Sequence, residues 1–164
     1  MRPIYNYIIL FLFINIQVFS QNIQSPSEYL GYEIGTQFSR HSQVIDYFDY
    51  ISNELSDNVK MEKYGETYER RPLYLAYISS KENIKNIDLI RKNNLSNAGV
   101  IKKEINSSIN KDIAIVWLSY NVHGNESSST EASMKTLYLL LTENSNLLDN
   151  TIVIIDPCIN PDGR

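Results

Sequence analysis

Two residues three apart, His123 and Glu126, lie in the stretch Ser119-Tyr-Asn-Val-His-Gly-Asn-Glu-Ser127. An imidazole nitrogen and a carboxylate at that spacing can share one metal ion. A catalytic zinc site takes three protein ligands and keeps a fourth position open for water. This stretch would supply two of the three. His-x-x-Glu on its own is a short pattern that also arises by chance. A histidine in a loop at a strand end often does no more than cap or pack. The flanking elements must therefore decide what the pair is for.

Those elements put the pair where ligand sites gather. Ile113-Ala-Ile-Val-Trp-Leu118 is an apolar run that reads as a buried strand. Ser128-Ser-Thr130 followed by Glu131 is a helix-start signal, a hydroxyl cap and then an acid. The helix it opens runs to about Thr142, with Ala132, Met134, Leu137, Leu140 and Leu141 on a wide apolar face. Thr151-Ile-Val-Ile-Ile-Asp156 is continuous, apolar and β-branched, as in a strand covered on both faces. Strand, helix and strand form one βαβ unit with its two strands parallel. His123 and Glu126 then sit beyond the carboxyl end of the first strand, the usual position of ligands in open α/β sheets. The positive end of the helix dipole would favour an ionised Glu126. Glu131 reads as a helix-start or buried hydrogen-bonding acid rather than a third ligand.

Upstream, Val44, Phe48, Ile51 and Leu55 fall on one helical face over 41–55. His41 stands at that helix's start and reads as a surface residue of its first turn. Val59–Tyr64 alternates like a strand. Gly65-Glu-Thr-Tyr-Glu-Arg-Arg71 is a polar turn, and Pro72 leads into the strand Leu73–Ile78, so the two strands form an antiparallel pair. Arg71 is either a solvated turn charge or the partner of a nearby carboxylate. Lys81–Asn94 predicts a helix, and 97–111 a polar loop. Residues 21–40 have no clear period and read as an irregular arm. Asn160-Pro-Asp-Gly163 is a strong turn signal after the last strand.

Composition narrows the classes. The 164 residues are 43% hydrophobic and 21% charged, enough for a packed core and against wholesale disorder. Net charge is -4, with no basic stripe, which argues against nucleic acid. Cys158 is the only cysteine, excluding an intrachain disulfide and any cysteine-built zinc cluster. Residues 1–20 read as a secretory signal peptide: Arg2, an apolar centre at Tyr7–Ile14, and small groups at Val18-Phe-Ser20 before a cleavage point at Gln21. The apolar centre is shorter than the roughly 20 residues a spanning helix needs. No membrane span is expected after cleavage, and export to the periplasm or beyond the cell follows.

Three landmarks together resemble the zinc carboxypeptidase (metallocarboxypeptidase) family. Gly65-Glu-Thr-Tyr-Glu-Arg-Arg-Pro72 looks like the family's Gly-x-Ser-x-Glu-Gly-Arg-Pro turn, His123-Gly-Asn-Glu126 like its His-x-x-Glu motif, and Asn160-Pro-Asp-Gly163 like its Asn-Pro-Asp-Gly motif. They occur in the family's order over about a hundred residues. Thr67 and Arg70 stand where the family usually has Ser and Gly, and Asn125 where several digestive members carry Arg. The resemblance implies a mixed, mainly parallel twisted sheet with helices on both faces. It implies one Zn²⁺, with His123 and Glu126 as metal ligands, polarising the scissile carbonyl of a peptide or protein substrate. It implies hydrolysis by an activated water, with a carboxylate base passing the proton to the leaving amine. The family's third ligand, a His, and its catalytic Glu lie further downstream than Arg164. Residues 41–164 are therefore expected to be the first half of a catalytic domain, inactive by itself, and the full-length protein a monomer. An unpaired apolar edge is expected beside Ile152–Ile155. The competing readings are a zinc amidase or deacylase, or a cell-wall peptide hydrolase, on the same scaffold, and a non-catalytic binding module.

Overall fold

The computed structural model describes residues 23–102, 113–126 and 128–163. The signal-peptide reading of 1–20 lies outside them. The helices are α1 (Pro26–Leu30), α2 (His41–Glu54), α3 (Lys81–Lys85), α4 (Ile87–Asn97) and α5 (Ser128–Thr142). The strands are β1 (Val59–Glu66), β2 (Pro72–Ile78), β3 (Ala114–Ser119) and β4 (Thr151–Asp156). They form one sheet in the order β1-β2-β4-β3. β1 and β2 pair antiparallel, as do β2 and β4, while β3 runs parallel to β4 with Ser119 opposite Asp156. The sheet is mixed, and among the described strands the parallel pairing is the β3–β4 one.

β4 holds the two layers together. Its period-two alternation sends Val153 and Ile155 to one face, where α2 and α5 close the main core with Tyr47, Phe48, Ile51, Met134 and Leu137. It sends Ile152 and Ile154 to the other, against Ile87 and Ile90 of α4. Helices thus cover both faces, as the unbroken apolar run 151–155 requires. Phe48 and Ile51 are fully buried, each worth roughly 1.5–3 kcal/mol against exposure.

Three expectations change. The open apolar edge is not beside Ile152–Ile155, because β4 lies between β2 and β3. It is β3 itself: Ile115, Val116 and Trp117 are exposed, Trp117 at 59%. An apolar run shows that a strand is meant to be covered, not which strand is at the edge. Next, Lys81–Asn94 is two helices, broken at Asn86, whose amide donates back to the Glu82 carbonyl and carboxylate at 2.9 and 2.6 Å. Such side-chain bonding to local backbone competes with helix continuation. Finally, the arm is not irregular throughout. Ser25 and Glu28 form a reciprocal capping box with Pro26 at the first helical position, which nucleates α1. Five residues are too few to show a period, so only the cap signalled it.

The arm is also anchored. Glu131, buried in α5, accepts from Gly35 N at 2.5 Å, Ser39 N at 2.9 Å and Ser39 Oγ at 2.7 Å. Its role is that of a buried hydrogen-bonding acid. Among the described residues, no helix is long and apolar enough to cross a membrane.

Candidate metal centre

β3 ends at Ser119, and the chain turns twice before α5. Asn121 takes a left-handed conformation, φ 55°, which asparagine tolerates better than most residues. Its backbone N–H donates to Ser129 Oγ at 2.8 Å, and its side-chain amide to the Asn160 carbonyl at 3.0 Å. The next turn is closed by Glu126 N–H donating to the His123 carbonyl at 2.9 Å. His123 and Glu126 therefore flank one tight turn at the carboxyl end of the parallel pair, and both side chains are exposed.

A second loop holds that turn from behind. Asn160 Nδ2 donates to the Val122 carbonyl at 3.2 Å, and Gly163 N–H to Asn160 Oδ1 at 3.2 Å. A Cβ added at Gly124 would lie 2.1 Å from the Gly163 carbonyl carbon, far inside contact distance. Only glycine between His123 and Glu126 allows the two backbones to touch.

A third loop holds the second. The Asp162 carboxylate accepts from Thr67 Oγ1 at 2.8 Å, from Arg71 at 2.6 Å and from Glu69 N–H at 3.2 Å. Arg71 also pairs with Glu69 at 2.5 Å, so it is a paired charge at a partly exposed position. Burial pushes the Asp162 carboxyl up, but the bonds from Thr67, Arg71 and Glu69 outweigh it and hold the group below its ordinary value. Exposed ion pairs of this kind add little stability; what the network supplies is position. The three sequence landmarks thus form one chain of contacts: turn 65–72 to Asp162, and loop 160–163 to the His123 turn. Thr67 does with its hydroxyl what a serine would do. Arg70 has φ 62°, the conformation for which a glycine carries no steric penalty.

Two residues, Asp156 at the carboxyl end of β4 and Asn121 just past that of β3, carry no motif. Asp156 ends β4, is buried, and accepts from the Tyr64 hydroxyl at 2.6 Å. Tyr64 sits at a bulge, where the β1–β2 register shifts between Lys63 and Gly65; bulges re-aim side chains. Asp156 Oδ1 is buried with no hydrogen-bond partner among the described residues. Burial pushes the Asp156 carboxyl up, against the lowering bonds from Tyr64 and the Cys158 backbone. An acid at the carboxyl end of an apolar strand was the available signal, and Asn121 had none beyond its place after the strand.

The donor set suits zinc as far as it goes: one imidazole and one carboxylate, exposed, on a turn fixed by backbone contact. No cluster of three or more His, Cys, Asp or Glu able to hold a metal exists among the described residues.

A mixed sheet, helices on both faces and this turn define the class, an α/β protein with a carboxypeptidase-like fold. The chain belongs to the zinc carboxypeptidase family, whose model matches residues 44–164. A search of curated proteins finds no match. Among solved structures it is similar to carboxypeptidase A from Helicoverpa armigera, with TM-score 0.58 and 19% identity over 87% of this chain and 28% of that one. It is also similar to thrombin-activatable fibrinolysis inhibitor, at 0.54 and 20% over 85% and 28%. The bovine form of that protein, in complex with tick carboxypeptidase inhibitor, matches at 0.52 and 19% over 77% and 32%. The chain therefore spans about a third or less of the solved proteins it matches, and at these identities the likeness is one of fold.

Proposed function

We propose that the chain carries two of the three zinc ligands of an exported metallocarboxypeptidase, His123 and Glu126, and that the complete protein hydrolyses peptide bonds at peptide C-termini. The observation that carries the proposal is the Gly124–Gly163 contact. It supports a His-x-x-Glu turn held at the carboxyl end of the parallel strands in a member of the zinc carboxypeptidase family. Zinc, when bound, supplies Lewis-acid polarisation of the scissile carbonyl and activation of the attacking water.

The chain's own residues do the placing. The turn is closed by the bond from Glu126 N–H to the His123 carbonyl, and Asn160 fixes the carbonyl just before His123. Asn121 and Ser129 join that turn to the start of α5. The third ligand and the proton-carrying base come from outside the described residues. Two ligands on one turn bind zinc weakly, because geometry and affinity both depend on the third. Residues 23–163 alone are accordingly inactive.

The test is hydrolysis by the full-length natural protein of matched peptides with free and amidated C-termini. Activity on the free-ended peptide, lost to a chelator and restored by zinc, supports the reading. Equal cleavage of both peptides removes the carboxypeptidase assignment and favours an endopeptidase or amidase. Activity that persists in chelator overturns the metal mechanism.

A further inference from the structure

A groove of about 510 Å³ opens between the start of α2, the turn joining β1 to β2, and Pro161. It is lined by Arg40, His41, Arg70 and Arg71, with Phe38 and Pro72 among its apolar residues. Arg71 is paired with Asp162 and Glu69. Arg40 and Arg70 have no ion-pair partner among the described residues. Two uncompensated guanidiniums thus face one groove of a chain whose net charge is -4. Phe38 is 78% exposed, and Tyr68, in the same turn as Arg70, is fully exposed. Arg70 occupies a left-handed position, φ 62°, that is unfavourable for a residue with a Cβ. Strain retained at an exposed residue is a reason to look for function there.

We propose that this groove binds an acidic segment of a peptide, with Arg40 and Arg70 pairing its carboxylates and Phe38 and Pro72 covering its apolar side chains. The inference rests on the peptidase reading for the ligand being a peptide; the charge selection comes from the groove itself. Arginine forks match carboxylates bidentately, and Phe38 and Pro72 supply apolar surface that a free inorganic anion would not use. Pro161 belongs to the loop that backs the His123 turn. The groove and the candidate metal turn therefore share one loop, and a substrate held in the groove is tethered close to the site. The complete protein would favour substrates that carry acidic residues away from the cleaved end.

The experiment measures fluorescence anisotropy of the full-length natural protein with a dye-labelled, C-terminally amidated peptide bearing several glutamates, and with its glutamine counterpart. A chelator is present throughout. It stops turnover and removes zinc as a ligand for glutamate, and the amide cap removes the terminal carboxylate. The glutamate peptide is expected to bind about fivefold or more tighter at low ionic strength, with the difference gone at about 0.5 M salt. Replacing Arg40→Glu and Arg70→Glu together should reverse the preference, and near-unchanged far-UV circular dichroism checks the fold. Equal binding of the two peptides, or a preference that survives the double charge reversal, overturns the inference. Intact charge selection in a protein with no peptidase activity would sink the enzymatic reading and leave the groove standing.

Discussion

Gly124 and Gly163 touch backbone to backbone: a methyl group on Gly124 would lie 2.1 Å from the Gly163 carbonyl carbon and 2.4 Å from its Cα. Forty residues of sequence are folded so that the turn bearing His123 and Glu126 rests on the Asn160–Gly163 loop. The glycine inside the His-x-x-Glu stretch is thus a packing requirement.

Replacing Gly124→Ala should therefore separate the two loops. The opposing atoms are backbone and cannot swing aside. Overpacking of this kind costs about 1–3 kcal/mol, read as a lower denaturation midpoint. In the complete protein the displaced His123 should also weaken zinc binding about tenfold or more, the scale seen when the residues that orient a metal ligand are disturbed. A midpoint and zinc affinity equal to wild type would show that the loops do not need the contact.

Thr67 tests the link between the first and second loops. Its hydroxyl donates to Asp162 and accepts from Arg71 N–H at 3.1 Å. Thr67→Ser keeps both bonds and should be near neutral. Thr67→Val keeps the shape, loses both, and should cost about 1–2 kcal/mol. Asp162 adds a pH signature. Its carboxyl is held below the ordinary value, so its contribution is present at neutral pH and is lost as pH falls through that lowered value. Thr67→Val removes one of the lowering bonds, so acid loss should begin at higher pH. Identical acid limbs for Val and Ser variants would sever Thr67 from Asp162.

Much of this was readable from sequence and some was not. The period of Val44, Phe48 and Ile51 and the unbroken run 151–155 located α2 and β4, because periodicity reports burial directly. The motifs located the three loops. What escaped were the matters set by neighbours in space. Nothing local says that β3 lies outside β4, that Asn86 breaks a helix by bonding back to Glu82, or that Tyr64 reaches Asp156. Asn121 carries no pattern, and Asp156 only its place at the end of an apolar strand. Asn121 meets Asn160, and Asp156 meets Tyr64, only once the strands are assembled.

Asp156 gives the opposite pH behaviour to Asp162. Burial raises its carboxyl, so folding favours the protonated form. Stability from this group is fullest below the ordinary carboxylate value and falls as pH rises through the raised one. Asp156→Asn removes the ionisation and leaves an acceptor for the Tyr64 hydroxyl. It should flatten that decline and leave residues 23–163 no less stable than wild type at neutral pH, measured by urea midpoints across pH 4 to 8. A large loss of neutral-pH stability would mean that the ionised carboxylate is needed.

The central claim is that His123 and Glu126 are zinc ligands, and anomalous X-ray diffraction at the zinc edge from crystals of the full-length natural protein tests it most directly. The expected result is one strong peak about 2.0–2.2 Å from a His123 nitrogen and from a Glu126 oxygen, with a third protein ligand completing the site. It should vanish in His123→Ala protein that otherwise keeps its fold. A zinc-loaded protein with its peak elsewhere, or one whose zinc content is unchanged by His123→Ala, would contradict the account.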